Sequence, residues 1–197
     1  GQVGNSQTNP NELNKVLEAG GPPNMINRNK WSPKYPMIVA YPQLTSGRWR
    51  PDGVHNFIKY IIDNYKIDVN RIYLAGYSLG AFGCFDYISQ YGDDAYSKAI
   101  VPIAGRGNTN TGDKFVNVAV WAFHGENDGS VSVNGSIDMI NAINNAKPKN
   151  KAKLTLYPGA GHDADTRTFD GTGMGTEDSK YDPFNMDVYE WMFKFKK

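Results

Sequence analysis

The pentapeptide Gly76-Tyr77-Ser78-Leu79-Gly80 is the part of the sequence best suited to do chemistry. It has the form G-x-S-x-G, follows the apolar run Ile72-Tyr73-Leu74-Ala75, and leads into a stretch of helical periodicity through Phe82, Phe85 and Ile88. That context predicts a sharp strand-to-helix turn that holds the serine hydroxyl clear of the sheet edge. Glycine suits positions 76 and 80 because backbone segments crowd together at such a turn. The N–H of Leu79, at the head of the helix, points where an oxyanion would form. Ser78 is therefore read as the nucleophile of an acyl transfer; the plainer alternative is a serine that only caps a helix after a strand.

A serine hydroxyl attacks poorly at neutral pH unless a base takes its proton and an acid orients that base. The sequence contains three histidines. His55 falls on a helix around 52–65, on the side expected to face solvent. His124 ends the apolar run Val118-Ala119-Val120-Trp121-Ala122-Phe123 and reads as structural. His162 closes the glycine-rich stretch Tyr157-Pro158-Gly159-Ala160-Gly161, beyond a strand's carboxyl end, where sites of open α/β sheets collect. His162 is the expected base, against the alternative of an exposed loop histidine. For the acid, chain order places an Asp or Glu between the serine and the histidine. Asp128, just past a strand end, is preferred, with Glu126 in reserve; Asp113 and Asp138 read as a loop and a helix-face residue.

The elements that must position these groups are legible as an alternation of apolar runs and amphipathic stretches, the pattern of an α/β layer protein. Strands are expected at 37–41, 72–75, 99–104, 118–123 and 154–157, without polar alternation, as in a parallel sheet buried on both faces. Helices are expected at 52–65 (Val54, Phe57, Ile58, Ile61, Ile62), from Ser78 onward, at 134–146, and at the C-terminus through Val188, Trp191, Met192 and Phe195. The stretch 163–182, rich in Asp, Thr and Gly, reads as loop. No repeat or linker interrupts the 197 residues, so one domain over 1–197 is expected.

Composition narrows the partners. Lys plus Arg number 21 against 20 Asp plus Glu, and the charges are dispersed, which speaks against nucleic acid or an anionic membrane. No apolar run approaches the ~20 residues of a membrane span. The single cysteine, Cys84, excludes an internal disulfide framework. The first residues, Gly1-Gln2-Val3-Gly4-Asn5, contain neither a basic nor an apolar leader segment, which leaves the compartment open between cytoplasm and export after processing.

Three segments together resemble a known family: Gly76-Tyr77-Ser78-Leu79-Gly80-Ala81-Phe82-Gly83, His124-Gly125 with Asp128 and Val131, and Tyr157-Pro158 with Gly161-His162-Asp163. They look like the α/β-hydrolase superfamily, and within it the compact bacterial esterases of phospholipase/carboxylesterase-like or polyhydroxybutyrate-depolymerase-like type. The resemblance runs from about residue 1 to 195. It implies a mostly parallel central sheet flanked by helices, with Ser78 as nucleophile, Asp128 as acid, His162 as base and Leu79 as an oxyanion-hole donor. Ser132 stands where such enzymes often have proline.

The resemblance also implies a strand before residue 1 that ends in the turn carrying the second oxyanion donor. Gly1 to Asn5 resembles the tail of that turn, which makes Gln2 the expected donor, with Val3 as alternative. The strand itself would lie between those at 37–41 and 72–75, so the expectation is that an N-terminal segment or a second chain completes the sheet. The implied reaction hydrolyses a small or polymer-linked ester, of short-chain or polysaccharide-linked acyl groups, with no metal or organic cofactor. Gln43, Trp49, Tyr77, Arg106 and Arg167 are the expected specificity residues. Two rival functions stand beside this one: a non-catalytic binding module on a hydrolase scaffold, and a prolyl-oligopeptidase-like serine peptidase.

Overall fold

Apolar runs become strands here wherever a neighbour is present to pair with them. The computed structural model describes residues 4–31 and 34–196. In it β1 (Tyr73–Tyr77), β2 (Ala99–Ile103), β3 (Ala119–Gly125) and β4 (Lys153–Tyr157) form a parallel sheet in the order β1-β2-β3-β4. Six α-helices are described: α1 (Pro22–Asn27), α2 (Pro51–Asn64), α3 (Leu79–Tyr91), α4 (Asn134–Asn145), α5 (Ala164–Phe169) and α6 (Val188–Met192). Alternate strand residues feed opposite layers, the geometry expected of period-two side chains. Ile100, Val120, Ala122, Leu154 and Leu156 pack with Ile58, Phe85, Ile88, Met139 and Ile143 from α2, α3 and α4. Val101, Ile103, Trp121, Phe123 and Tyr157 pack on the other face with Phe184 and with residues of α5 and α6.

The two sheet edges differ. The outer edge of β4 is closed by the segment at 178–182: Leu156 and Leu154 carbonyls accept from the Asp178 and Asp182 N–H groups, and the Leu154 N–H donates to the Asp182 carboxylate. Along β1, Ala75 is exposed in mid-strand, and among the described residues no backbone group bonds to the outer edge.

This accounts for one correction. The stretch 37–41, expected as a strand, joins no ladder, and its Ile38 is 61% exposed. A lone apolar segment has no ladder to join, and an apolar sequence alone does not make a strand. Two smaller corrections follow. The stretch 163–182 is not all loop, since its first residues form α5. His55 does not face solvent freely: its ring is stacked between Tyr91 and Tyr96, at 4.2 and 4.6 Å between centroids. Among the described residues, no helix is long and apolar enough to cross a membrane.

Candidate active site

The serine turn has the shape its sequence dictates. Ser78 lies between β1 and α3 with φ 56° and ψ −116°, a conformation that costs a non-glycine residue about 1–3 kcal/mol and persists only where surroundings enforce it. Gly76 is needed because a Cβ there would overlap the Gly80 backbone. Gly80 is not crowded in its own right, since a Cβ at that position meets nothing nearby; its role is to be approached by Gly76. The Ser78 side chain makes no capping bond to α3. Its Oγ instead lies 3.0 Å from Nε2 of His162. The Ser78 carbonyl accepts the Phe82 N–H, while Leu79 begins α3, where N–H groups lack intrahelical acceptors.

His162 reaches Ser78 because two loops at the carboxyl ends of β3 and β4 are laced together. The Glu126 N–H donates to the Tyr157 carbonyl and the Asn127 N–H to the Ala160 carbonyl. Gly125, at the end of β3, must be glycine, since a Cβ there would run into the Ala160 and Gly161 carbonyls. Asp128 thus arrives beside His162, with Nδ1 of the imidazole 2.7 Å from its Oδ2. The other oxygen, Oδ1, accepts the N–H groups of Ser130 and Val131 at 2.8 and 2.9 Å. The Asp128 side chain is fully buried, and burial alone would raise its pKa. The hydrogen bonds from His162, Val131 and Ser130 outweigh that, and the carboxyl is held below the usual carboxylate range.

Glu126, the reserve acid, does not reach His162. Its carboxyl meets Asp178, and burial together with that like-charged neighbour pushes its pKa up.

The expected specificity residues are placed as follows. The Tyr77 hydroxyl donates to the His162 carbonyl at 2.6 Å, with the two rings 5.0 Å apart. Burial, with Asp165, Asp128 and Asp163 nearby, pushes that phenol up to about 12, so it remains a donor across the working pH range. Tyr77 therefore holds the histidine loop, a role its place in the motif did not reveal. Replacing Tyr77 with phenylalanine should slow any turnover that depends on His162 about 5–10-fold, the kinetic equivalent of one ~1 kcal/mol hydrogen bond. Steady-state kinetics check this, and an unchanged kcat would remove Tyr77 from the positioning apparatus. Gln43 is engaged with the N-terminal segment, accepting the Ser6 N–H and donating to the Glu12 carbonyl. Trp49 packs its side chain on Gly83 of α3. The guanidinium groups of Arg106 and Arg167 stack over Phe82 and Tyr157. Gln2 lies outside the described residues.

The family model described as "Dienelactone hydrolase family" matches residues 30–186. A crystal structure of a thermostable esterase is 26% identical, covering 73% of this chain and 36% of its own, with a TM-score of 0.57. Esterase PE8 is 18% identical over 61% of this chain and 57% of its own, with a TM-score of 0.51. TT1662 from Thermus thermophilus is 16% identical over 62% and 58%, with a TM-score of 0.54. The last two show likeness of fold alone. This chain spans between 36% and 58% of the length of these three proteins. A search of curated proteins finds no match. The sheet and its flanking helices are those of the α/β-hydrolase fold.

Proposed function

The chain belongs to the dienelactone hydrolase family, and from that premise we propose that it is a serine hydrolase of carboxylic esters, with Ser78 as nucleophile, His162 as general base and Asp128 as the acid that orients it. The observation that carries the reading is the unbroken line of contacts, 3.0 Å from Ser78 Oγ to His162 Nε2 and 2.7 Å from His162 Nδ1 to Asp128 Oδ2. Asp128 accepts at Nδ1–H and so leaves Nε2 free to take the serine proton. Ser78 Oγ attacks the ester carbonyl as His162 removes its proton, and the Leu79 N–H supports the tetrahedral oxyanion. His162 returns the proton to the departing alcohol, leaving an acyl-Ser78. Water, deprotonated by the same imidazole, then releases the carboxylic acid and restores the serine.

Within this reaction class, we place the substrate among short-chain acyl esters or acyl groups linked to polysaccharide. A polar surface depression lined by residues that follow His162 in the chain supports that choice. Asp163, Thr166, Arg167, Thr172 and Thr176 line an open depression of about 420 Å³, in which Arg167 pairs with Asp163 and the Thr172 and Thr176 hydroxyls donate to Asp170 and to the Gly173 carbonyl. A fluorophosphonate probe followed by intact mass tests the nucleophile, and a panel of p-nitrophenyl, acetyl-sugar and feruloyl-sugar esters tests the substrate class. Labelling of Ser78 with hydrolysis of the sugar esters is the expected result. No labelling of the folded protein would favour a binding module instead.

The open edge of β1 supports a further element of this reading: in the native protein one more strand, from the same chain or a second one, lies along it. Unpaired strand edges are exposed to fortuitous pairing and are normally covered. Amide exchange of the native protein checks this. The Tyr73, Ala75 and Tyr77 amides should be as protected as those of β2 and β3, and rapid exchange at these three would refute the added strand.

A further inference from the structure

The histidine set aside as structural in the sequence stands directly behind the proposed acid. His124, at the end of β3, has no exposed side-chain surface. Its Nε2 lies 3.2 Å from Asp128 Oδ2, the same oxygen that accepts from His162, and 3.1 Å from the Val131 carbonyl. Its Nδ1 lies 2.8 Å from Oγ of Ser136 on α4, which is itself 3.0 Å from the Gly105 carbonyl. A carboxylate and a carbonyl can only accept, so the proton of a neutral ring is assigned to Nε2. Nδ1 is then an acceptor beside the Ser136 hydroxyl, whose single hydrogen can serve either Nδ1 or the Gly105 carbonyl. Burial disfavours the charged ring more strongly than its contacts with Val131 and Asp128 favour it, which keeps His124 neutral.

We propose that His124 is a positioning residue for the acid: its Nε2–H bonds the Val131 carbonyl of the acid loop and lies beside Asp128 Oδ2, opposite His162, while its Nδ1 meets Ser136, so that it ties the acid loop to α4. The inference rests on the triad reading above. Oδ1 of Asp128 is engaged by two backbone N–H groups and Oδ2 by His162, with Nε2 of His124 3.2 Å from that same oxygen. His124 sets how strongly the carboxylate pulls on the His162 N–H, because an N–H dipole beside that oxygen draws on its charge and the bond to Val131 fixes where the acid loop sits. The other titratable groups bearing on His162 are Asp163 and Asp165 from its own loop and α5, and Tyr77 from β1; none of them touches Oδ2.

Three variants of the full chain test this: His124→Met, which fills the space without a donor, His124→Gln, whose amide can donate near Nε2 and accept near Nδ1, and Ser136→Ala. Kinetics are normalised to sites titrated with the fluorophosphonate, so a loss of folded protein does not count. Removing the donor leaves Asp128 more basic and the imidazolium of the His162–Asp128 pair more stable. The acid limb of the kcat/KM profile should therefore move to higher pH, by ~0.5–1 unit in His124→Met. Ser136→Ala should move it the same way by less, and His124→Gln should restore the original profile. KM should hold within about twofold in all three, because His124 does not face the ester.

The low-field proton resonance of the His162–Asp128 bond, read by NMR whether or not an ester turns over, should move in His124→Met and Ser136→Ala and hold in His124→Gln. An unmoved resonance and an unmoved acid limb in Ser136→Ala and His124→Met would overturn the proposal and leave His124 as packing. Should His124→Met fail to fold, Ser136→Ala decides. Failure of the esterase reading is a separate result, visible as an unlabelled and inactive parent protein.

Discussion

Ser78→Ala should abolish fluorophosphonate labelling and lower ester turnover by ~10³-fold or more, while the unfolding temperature stays within a few degrees of the parent. The kinetic loss is large because in the proposed mechanism the residue supplies the atom that forms the bond, and among the described residues no other hydroxyl is hydrogen-bonded to the His162 ring. The stability change is small because the side chain makes no helix cap. The strained backbone at φ 56° is imposed on alanine and serine alike. His162→Ala should lose a similar factor, since the serine proton then has no acceptor. These paired losses are non-additive: the double variant should be about as slow as either single one, as expected when two groups act in one step. Labelling of Ser78 at the parent rate in His162→Ala would show that another group is the base. Labelling that persists in Ser78→Ala would move the nucleophile elsewhere.

The residues that carry these expectations were legible because their constraints are local. Gly76, Ser78 and the following apolar periodicity encode a turn within five residues, and the structure has that turn. Buried parallel strands announce themselves by uniform apolar runs, and four of the five expected strands formed. The fifth, 37–41, shows what sequence pattern leaves out: strand formation is a property of a pair, and local composition does not reveal whether the partner is there. The tertiary roles of side chains were hidden for a related reason. Tyr77 looked like a substrate contact because it sits in the motif, yet its hydroxyl is committed to a carbonyl 85 residues away. Trp49 and Gln43 looked available and are used to pack α3 and to pin the N-terminal segment. His55 lies on a helix whose buried face is narrow, but two tyrosines from another part of the chain close over its ring. The spacing of His124 to Asp128 held a signal that strand-end logic alone did not use, since a turn that brings Asp128 back toward β3 places both next to one another.

Asp128→Asn should cost ~10³–10⁴-fold in kcat with the fold intact, whereas Glu126→Gln should change kcat by less than about threefold. Oδ1 of Asp128 receives two backbone N–H groups, so an asparagine must place its carbonyl oxygen there and its NH₂ where Oδ2 was. That NH₂ then donates to His162 Nδ1, the imidazole proton is driven to Nε2, and the ring can no longer take the proton of Ser78. It also faces the Nε2–H of His124, donor against donor. Glu126 is turned toward Asp178 and has no such hold on the base. The same substitution carries a pH signature with a definite sign. Because the folded Asp128 carboxyl lies below its ordinary value, its stabilising contribution is complete above the unfolded pKa of ~3.9 and is lost as pH falls through the lower folded value. The stability gap between parent and Asp128→Asn should therefore be full at pH 7 and close progressively below about pH 4. Urea unfolding at pH 7 and pH 3 measures both ends. A gap that stays constant over that range would mean Asp128 is not held as an ion by His162 and its loop amides. A Glu126→Gln variant as slow as Asp128→Asn would transfer the acid's role to residue 126.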